Sequence, residues 1–580
     1  MTHSDNLRPP EARYAQYRES LFACAPRLLS ALNRCPVSAS SGSFDREYWA
    51  WCTKDFANQD LQRATCVLAW LYAAPGNDNP YHGERALLTW AEWSVRFWLQ
   101  GQARCGAFDH LYPVERSWMA SAFTLTDMIQ AYAAIGSLVA PDLARDWRNG
   151  MARAGEMLCR HDETHGFISN HRAGAAAGLL GAARMLGGNR RFETRAMELL
   201  DGILQRQSAE GFFWEYEGAD PGYETLGLHY LAKVHAALSD LSPERTARLD
   251  AAVRRSLEFL SYCVHPDGSL GGEYGSRACP QIFTGGLEYF ARMFPLAEGI
   301  CAAVAPALAG GRAAGLADAD IRNLVPLATS TVSALEALAP STAAARPQAG
   351  YLPRDRAFER FFPLAGLYVR SHAGIYTVIG AAKGGVIKVY DADGLLHSDC
   401  GYTATLTNGS AVSTHVWQES AINDMQGMPT GGEAPSRPVA EVRLTARMYK
   451  FHPSREMRPF RLVLFRLFSL TLGRMNVANR LLRKAVIRFF VTGKSTVPLA
   501  ISRYVRFTEG SVDIVDTLHN PQGVRLRDLA RHGFMATVYM ASARYFRRGD
   551  LRQAWSEHCP QRRDGDMVQH TSVPTNRRNN

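Results

Sequence analysis

Four glycine-centred turns, each carrying aromatic or ionisable residues, recur through the first 350 residues at the spacing of one helical hairpin. They are GAFDHLYPVERS from Gly106, HGFISNHRA from His165, EGFFWEYEG from Glu210 and DGSLGGEYGSR from Asp267. The segments between them, such as LQRATCVLAWLYAA, ALLTWAEWSVRFWLQ and AGAAAGLLGAARMLG, place apolar residues three and four apart, the helical period. A lone hairpin leaves its apolar face open to water, so hairpins repeated in this way must stack. Closing the stack into a ring gives an α/α toroid with all four turns on one rim, where they line a groove. The competing reading is an irregular helical array whose turns share only turn chemistry.

Past about residue 350 the period changes to two. A helical stretch, IRNLVPLATSTVSALEAL, runs into APSTAAARPQAGYLPRD, whose small residues and prolines mark a boundary over 320–356. Beyond it GLYVRSH, GIYTVIGAA, GGVIKVYDADG, YVRFTEGSVDIVDTL and FMATVYMAS alternate apolar and polar residues between short turns, as an antiparallel β-sandwich requires. The sequence therefore predicts an α+β multidomain chain, with an N-terminal α/α toroid of helical hairpins followed by a C-terminal antiparallel β-sandwich with a helical insertion. The expected divisions are an adaptor segment over 1–45, the toroid over 46–345, the sandwich over 346–560 and a disordered tail over 561–580. The insertion, 460–491, is apolar and basic, with Arg461, Arg466, Arg474, Arg480, Arg483, Lys484 and Arg488 and no acidic residue. It reads either as a helix packed on the sandwich or as an amphipathic helix on an anionic membrane surface.

Lys and Arg exceed Asp and Glu by 65 to 55, a net charge of +10 that suits an anionic partner. The eleven cysteines show no CxxC pair and no metal-like spacing, so free thiols are expected. The polar start MTHSDNLRPPEARY lacks a signal pattern, and no apolar run is long enough to span a bilayer. A cytoplasmic location, with peripheral contact to the inner membrane through 460–491, is the expectation. GxGxxG, P-loop, serine-elbow and HExxH motifs are missing, which excludes the common nucleotide, serine-hydrolase and zinc-protease chemistries.

The turns hold the candidate chemistry. In FISNHRA, Asn170 and Arg172 can neutralise a carboxylate and His171 can move a proton, although Asn170 also suits a helix N-cap. In EGFFWEYEGADPGYETLGLHY, Trp214 offers a stacking face. Glu215 and Glu224 offer carboxylates, and Tyr223, His229 and Tyr230 offer further polar groups. GGEYGSR repeats the theme with Glu273, Tyr274 and Arg277, and Glu115 with Arg116 does so more weakly. In the β region, GLLHSDCGY sets His397 and Asp399 two apart, on one face of a strand. No convincing metal cluster accompanies them, and neither a metal nor another cofactor is expected.

This layout resembles the heparinase II/III-like polysaccharide lyases and their alginate-lyase relatives, over roughly residues 50 to 550. Asn170–His171 is similar to the family's carboxylate-neutralising Asn and adjacent His, DPGYE to the loop bearing its catalytic Tyr, and His397 to its β-domain segment. The resemblance also extends to heparinase II/III-like proteins of bacterial surface-polysaccharide loci. It implies β-elimination on a uronic-acid-containing glycan, with Asn170, His171, Tyr223 and His397 as catalytic residues and an acidic polysaccharide or oligosaccharide as partner. No nucleic-acid partner is expected. The family's His-x-His pattern is absent from the β segment. Two other readings stay open: a glycoside hydrolase pairing Glu215 or Glu224 with Glu273, and a non-catalytic glycan-binding protein of polysaccharide assembly.

Overall fold

The computed structural model describes residues 8–76, 78–164, 166–239, 241–339, 346–425, 428–431, 438–451, 458–475, 478, 481, 494–535, 537, 545–559 and 567–575. Its first half is helical. In order come α1 (Pro10–Ala31), α2 (Arg46–Trp49), α3 (Ala64–Ala73), α4 (Arg85–Gly101), α5 (Trp118–Ile135), α6 (Pro141–Arg160) and α7 (Ser169–Met185). Then follow α8 (Arg190–Gln205), α9 (Pro221–Leu238), α10 (Pro243–Ser261), α11 (Thr284–Phe290), α12 (Pro295–Ala309) and α13 (Ile321–Leu338). The stretch GGLEYFARMFPLAEGICAAVAPALAG divides between α11 and α12, because Pro295 starts α12 at its first position.

The packing closes a ring. α3, α5, α7, α9, α11 and α13 contact one another in that order, and α13 returns to α3. The intervening helices α4, α6, α8, α10 and α12 form an outer layer, and α1 covers α13. This is an α/α toroid of six inner and six outer helices. α13 is the sixth inner helix, inside the range expected for the toroid, and α1, expected in an adaptor segment, packs on α13 as part of the ring. Arg13 on α1 explains the latter: it is fully buried and reaches Glu288 at 2.8 Å and Glu298 at 2.7 Å, where Arg346 also binds both acids.

Inner helices come close because small residues face their neighbours. A side chain at Gly174 would strike the Phe123 ring at 2.5 Å. Phe123 stacks on Tyr230 at 4.7 Å, and the Arg63 guanidinium lies over Phe123 while binding Asp127 at 2.6 Å and the Tyr230 hydroxyl at 3.0 Å.

The second half forms two antiparallel sheets. One holds β1 (Phe358–Phe362), β2 (Leu367–His372), β3 (Ile375–Gly380), β4 (Val386–Asp391) and β5 (Gly394–Asp399) in sequence order. The other holds β6 (Tyr402–Leu406), β7 (Ala411–Ser413), β8 (Glu441–Phe451), β9 (Thr496–Phe507), β10 (Ser511–His519), β11 (Leu526–His532), β12 (Ser556–His558) and β13 (Val568–Pro574). Its order is β12-β11-β6-β7-β8-β9-β10-β13. The first sheet is apolar on both faces. Phe361, Tyr368, Ile379 and Ile387 meet Val442, Leu444, Val505 and Ile514 of the second sheet. Phe358, Leu367, Tyr376 and Val386 meet Phe212, Phe259, Tyr262 and Tyr274 of the toroid.

A short helix, α14 (Ser420–Asn423), and a longer one, α15 (Pro459–Leu470), interrupt the strands. α15 packs on the toroid rim and not on the sandwich: Phe465 meets Tyr112 edge-on at 5.4 Å, and Arg466 pairs with Asp55 at 3.3 Å. The remainder of the expected insertion, 476–477, 479–480 and 482–491, lies outside the described residues, as does most of FMATVYMAS. The expected tail contains a strand instead: β13 pairs with β10 from Val568↔Thr517 to Pro574↔Ser511. Residues 561–566 and 576–580 lie outside the described residues.

Candidate functional site on the toroid rim

Hairpin topology makes the inner helices parallel, so every loop that enters one lies on the same rim. The loops at 102–117, 161–168, 206–220 and 262–283 enter α5, α7, α9 and α11. They carry the four glycine-centred turns. The N-termini of the inner helices converge here, and their dipoles favour an anion. The backbone is strained at the same place. Of the six non-glycine residues with positive φ among the described residues, four lie in these loops: Val114 (63°), Arg116 (52°), Tyr216 (64°) and Ala278 (56°). A β-branched or bulky side chain rarely takes such a conformation, and strain of this kind concentrates at functional sites.

Three loops interlock. Ile168 bridges to Glu215, and the Tyr216 amide donates to the Phe167 carbonyl. The Ser276 amide donates to the Ala219 carbonyl at 2.8 Å. Asp220 caps α9 by accepting from the Tyr223 amide at 3.0 Å, and its other oxygen accepts from the Arg277 amide at 2.8 Å. The sandwich seals one side of this cluster. Lys383 donates to the Ser276 carbonyl at 3.2 Å, Lys494 pairs with Glu217 at 2.9 Å, and His415 Nε2 donates to the Glu273 carbonyl at 2.9 Å.

Asn170 is not the cap of α7, a position that Ile168 takes. It sits buried in the first turn, where its amide and its Nδ2 bind the two Glu215 oxygens at 2.9 and 2.6 Å, leaving Oδ1 without a hydrogen-bond partner among the described residues. His171 is half-buried, and its Nδ1 lies 2.8 Å from Glu163 Oε2. A carboxylate only accepts, so Nδ1 carries the proton and Nε2 is left as a base. α9 passes Asn170 at Gly227, one turn beyond Tyr223 on the same helix face. Tyr223 is the one residue of Pro221–Tyr230 that is not buried. Arg277 stacks its guanidinium 3.4 Å from the Tyr216 ring centre, and its buried Nε has no hydrogen-bond partner among the described residues. Arg172 lies over Phe167 and pairs with Asp162 at 3.1 Å.

Other expected site residues are placed elsewhere. His229 and Tyr230 are enclosed in the toroid core, with Tyr230 bound by Arg63. Tyr274 is buried against the first sheet and bonded to His265 at 2.9 Å. Trp214 packs on Phe212 in that same interface. Glu115 holds its own loop through the His110 and Leu111 amides, and Arg116 donates to the Arg474 carbonyl. Tyr230, Tyr274, Trp214, Glu115 and Arg116 are thus engaged by other groups of the protein, and His229 is enclosed with both ring nitrogens lacking a hydrogen-bond partner among the described residues. His397 lines a separate cleft of about 930 Å³ with Glu273, Lys388, Arg547 and Trp555, a cleft to which Asn170, His171 and Tyr223 do not contribute. Glu273 pairs there with Lys388 at 2.5 Å.

Burial raises the carboxyls beneath the rim. It pushes Glu215 well above the usual range, Asp220 up to about 6 and Glu224 up to about 8. Burial also lowers Lys383 to about 8 and His415 to about 3, which keeps that imidazole neutral. Glu224 accepts from the Phe213 amide and from Ser256, so it holds the loop rather than meeting substrate. Folded Glu224 keeps its proton to about pH 8, whereas the unfolded carboxyl releases it near its ordinary value of 4.5. Between those values the folded chain binds more protons, so stability falls as pH rises. Asp220 adds the same sign between 3.8 and about 6. Calorimetry should therefore show wild type losing stability from about pH 5 to about pH 8, and Glu224→Gln losing less, by an amount on the order of several kcal/mol. Equal slopes would refute this.

Lys383, His415, Lys494 and Glu163 are rim groups that the sequence did not single out. Only Lys383, alone between apolar and glycine residues in AAKGG, carries a local signal.

The fold and site thus define a helical toroid joined to a β-sandwich, with a base, an amide, a phenol and a guanidinium on the rim between them. No family model and no curated protein matches the chain. Among solved structures it is similar to a Streptomyces coelicolor A3 chondroitin AC lyase in complex with chondroitin sulphate (11% identity, 98% of this chain and 79% of that one, TM-score 0.49). It is similar also to heparinase III (9%, 91% and 79%, 0.48) and to a Paenibacillus xanthan lyase (11%, 89% and 46%, 0.46). At such identities and TM-scores these are likenesses of general shape, without residue-level correspondence.

Proposed function

We propose that the chain is a carbon–oxygen lyase that cleaves a uronic-acid-containing glycan by β-elimination, in surface-polysaccharide metabolism. The observation that carries this reading is the Glu163–His171 pair beside Asn170, on the rim that also presents Tyr223 and Arg277. Arg277 and the second Nδ2 proton of Asn170 hold the uronate carboxylate and so acidify the C5 proton. His171 Nε2 takes that proton, with Glu163 stabilising the imidazolium. The C4–O bond breaks as the C4=C5 double bond forms, and the Tyr223 hydroxyl protonates the departing oxygen. Tyr223 is reprotonated from His171 or from solvent, which closes the cycle.

A hydrolase reading is weaker, because Glu215 and Glu224 are buried and bound by Asn170, Phe213 and Ser256, leaving Glu273 without a partner acid. The test is incubation with a panel of uronate polymers. A rise in ultraviolet absorbance from the unsaturated product supports elimination. Shortened chains with no double bond would favour hydrolysis, and no turnover of any polymer would favour a glycan-binding role.

A further inference from the structure

α15 is amphipathic the wrong way round for a helix that only packs on its own protein. Its inner side is fixed to the rim by Phe465 against Tyr112, by Arg466 on Asp55 and over the Phe56 ring, and by buried Ser469. Its outer side carries Phe460, Val463, Leu464, Leu467 and Leu470. These lie at three- and four-residue spacing and so on one face. They are exposed to between 45% (Leu470) and 74% (Phe460), and Leu472 and Met475 beyond the helix are exposed to 55% and 59%. Single exposed apolar residues are ordinary, but a continuous stripe of this length marks an interaction surface.

Charge identifies the occupant. From Arg458 to Met475 there is no Asp or Glu, and Arg458, Arg461 and Arg474 are exposed around the stripe. A second copy of this chain docking by the same face would set these arginines against their own kind, since a two-fold contact pairs like with like. An anionic bilayer satisfies both features: its acyl boundary takes the apolar stripe, and its headgroups take the arginines.

We infer that α15 docks the protein on an anionic lipid surface. The contact sits on the loop at 102–117, next to the loop that leads into α7 and His171, so docking brings the rim toward the membrane. The inference does not depend on the catalytic reading, because it rests on α15 alone.

Vesicle flotation of the full-length protein tests it. Wild type should float with phosphatidylcholine vesicles that contain phosphatidylglycerol, should float less with phosphatidylcholine alone, and should be partly released by added salt. Leu464→Glu with Leu467→Glu should lower binding at least about tenfold, because the stripe loses two apolar anchors and gains two charges. Its circular dichroism and melting temperature should match wild type, since both side chains already face solvent. Wild type that stays in solution with phosphatidylglycerol vesicles at low salt would overturn the inference, as would a double variant that floats equally well. A wild-type dimer that the double variant converts to monomer, with no flotation of either, would give the face to a second copy and also overturn it.

Discussion

Replacing Tyr223 by Phe is expected to lower turnover on a uronate polymer by about 10²–10⁴-fold, the usual contribution of one positioned proton donor. The exchange removes one oxygen and keeps the ring that packs against the toroid core. The local backbone is held by other groups: Asp220 accepts from the Tyr223 amide and from the Arg277 amide, and Pro221 begins the helix. Stability should therefore change little, so a loss of rate reports chemistry and not unfolding. Because the hydroxyl acts on the departing oxygen, kcat should fall with KM nearly unchanged. His171→Gln should fall comparably, and the double variant should be little worse than either single one, as for groups that act as a unit. Activity within tenfold of wild type in Tyr223→Phe would remove Tyr223 from the mechanism. A large rise in KM alone would recast it as a binding residue.

The toroid was legible because its signal is repeated. Glycine-centred turns at hairpin spacing and a 3.6-residue apolar period leave few alternatives, and these same turns locate the rim. Single residues were less legible, because a polar residue near a helix start looks alike whether it meets substrate or protein. His229 and Tyr230 follow the rim segment directly, yet helical rotation carries them into the core beside Arg63 and Phe123. Glu163 carries no local signal, because its meaning lies in reaching His171 eight residues on, across a turn. β13 is not legible because VQHTSVP has few apolar residues and forms a strand by pairing with β10. The lysines of the sandwich that face the rim lie more than a hundred residues from their partners, and no local pattern records that.

The largest loss of stability is expected from Arg503→Met, on the order of 3–5 kcal/mol, the cost of breaking a buried ion pair from one side. Arg503 on β9 binds Asp516 at 2.8 and 2.7 Å and Asp399, at the end of β5, at 2.8 Å. It also donates to the Gly385 carbonyl ahead of β4, so one side chain fastens the two sheets together. All three ionic groups are enclosed. This accounts for Asp399, which the sequence set beside His397 as a motif: it is committed to Arg503 and to the Gly401 amide, while His397 faces the outer cleft. Methionine fills most of the volume but leaves two carboxylates facing each other, with Tyr402 still on Asp516 and Arg531 3.7 Å from Asp399. Urea titration should show a lower midpoint at an unchanged slope, because the surface exposed on unfolding is the same. A variant as stable as wild type would mean that the sheets are held by their apolar faces alone.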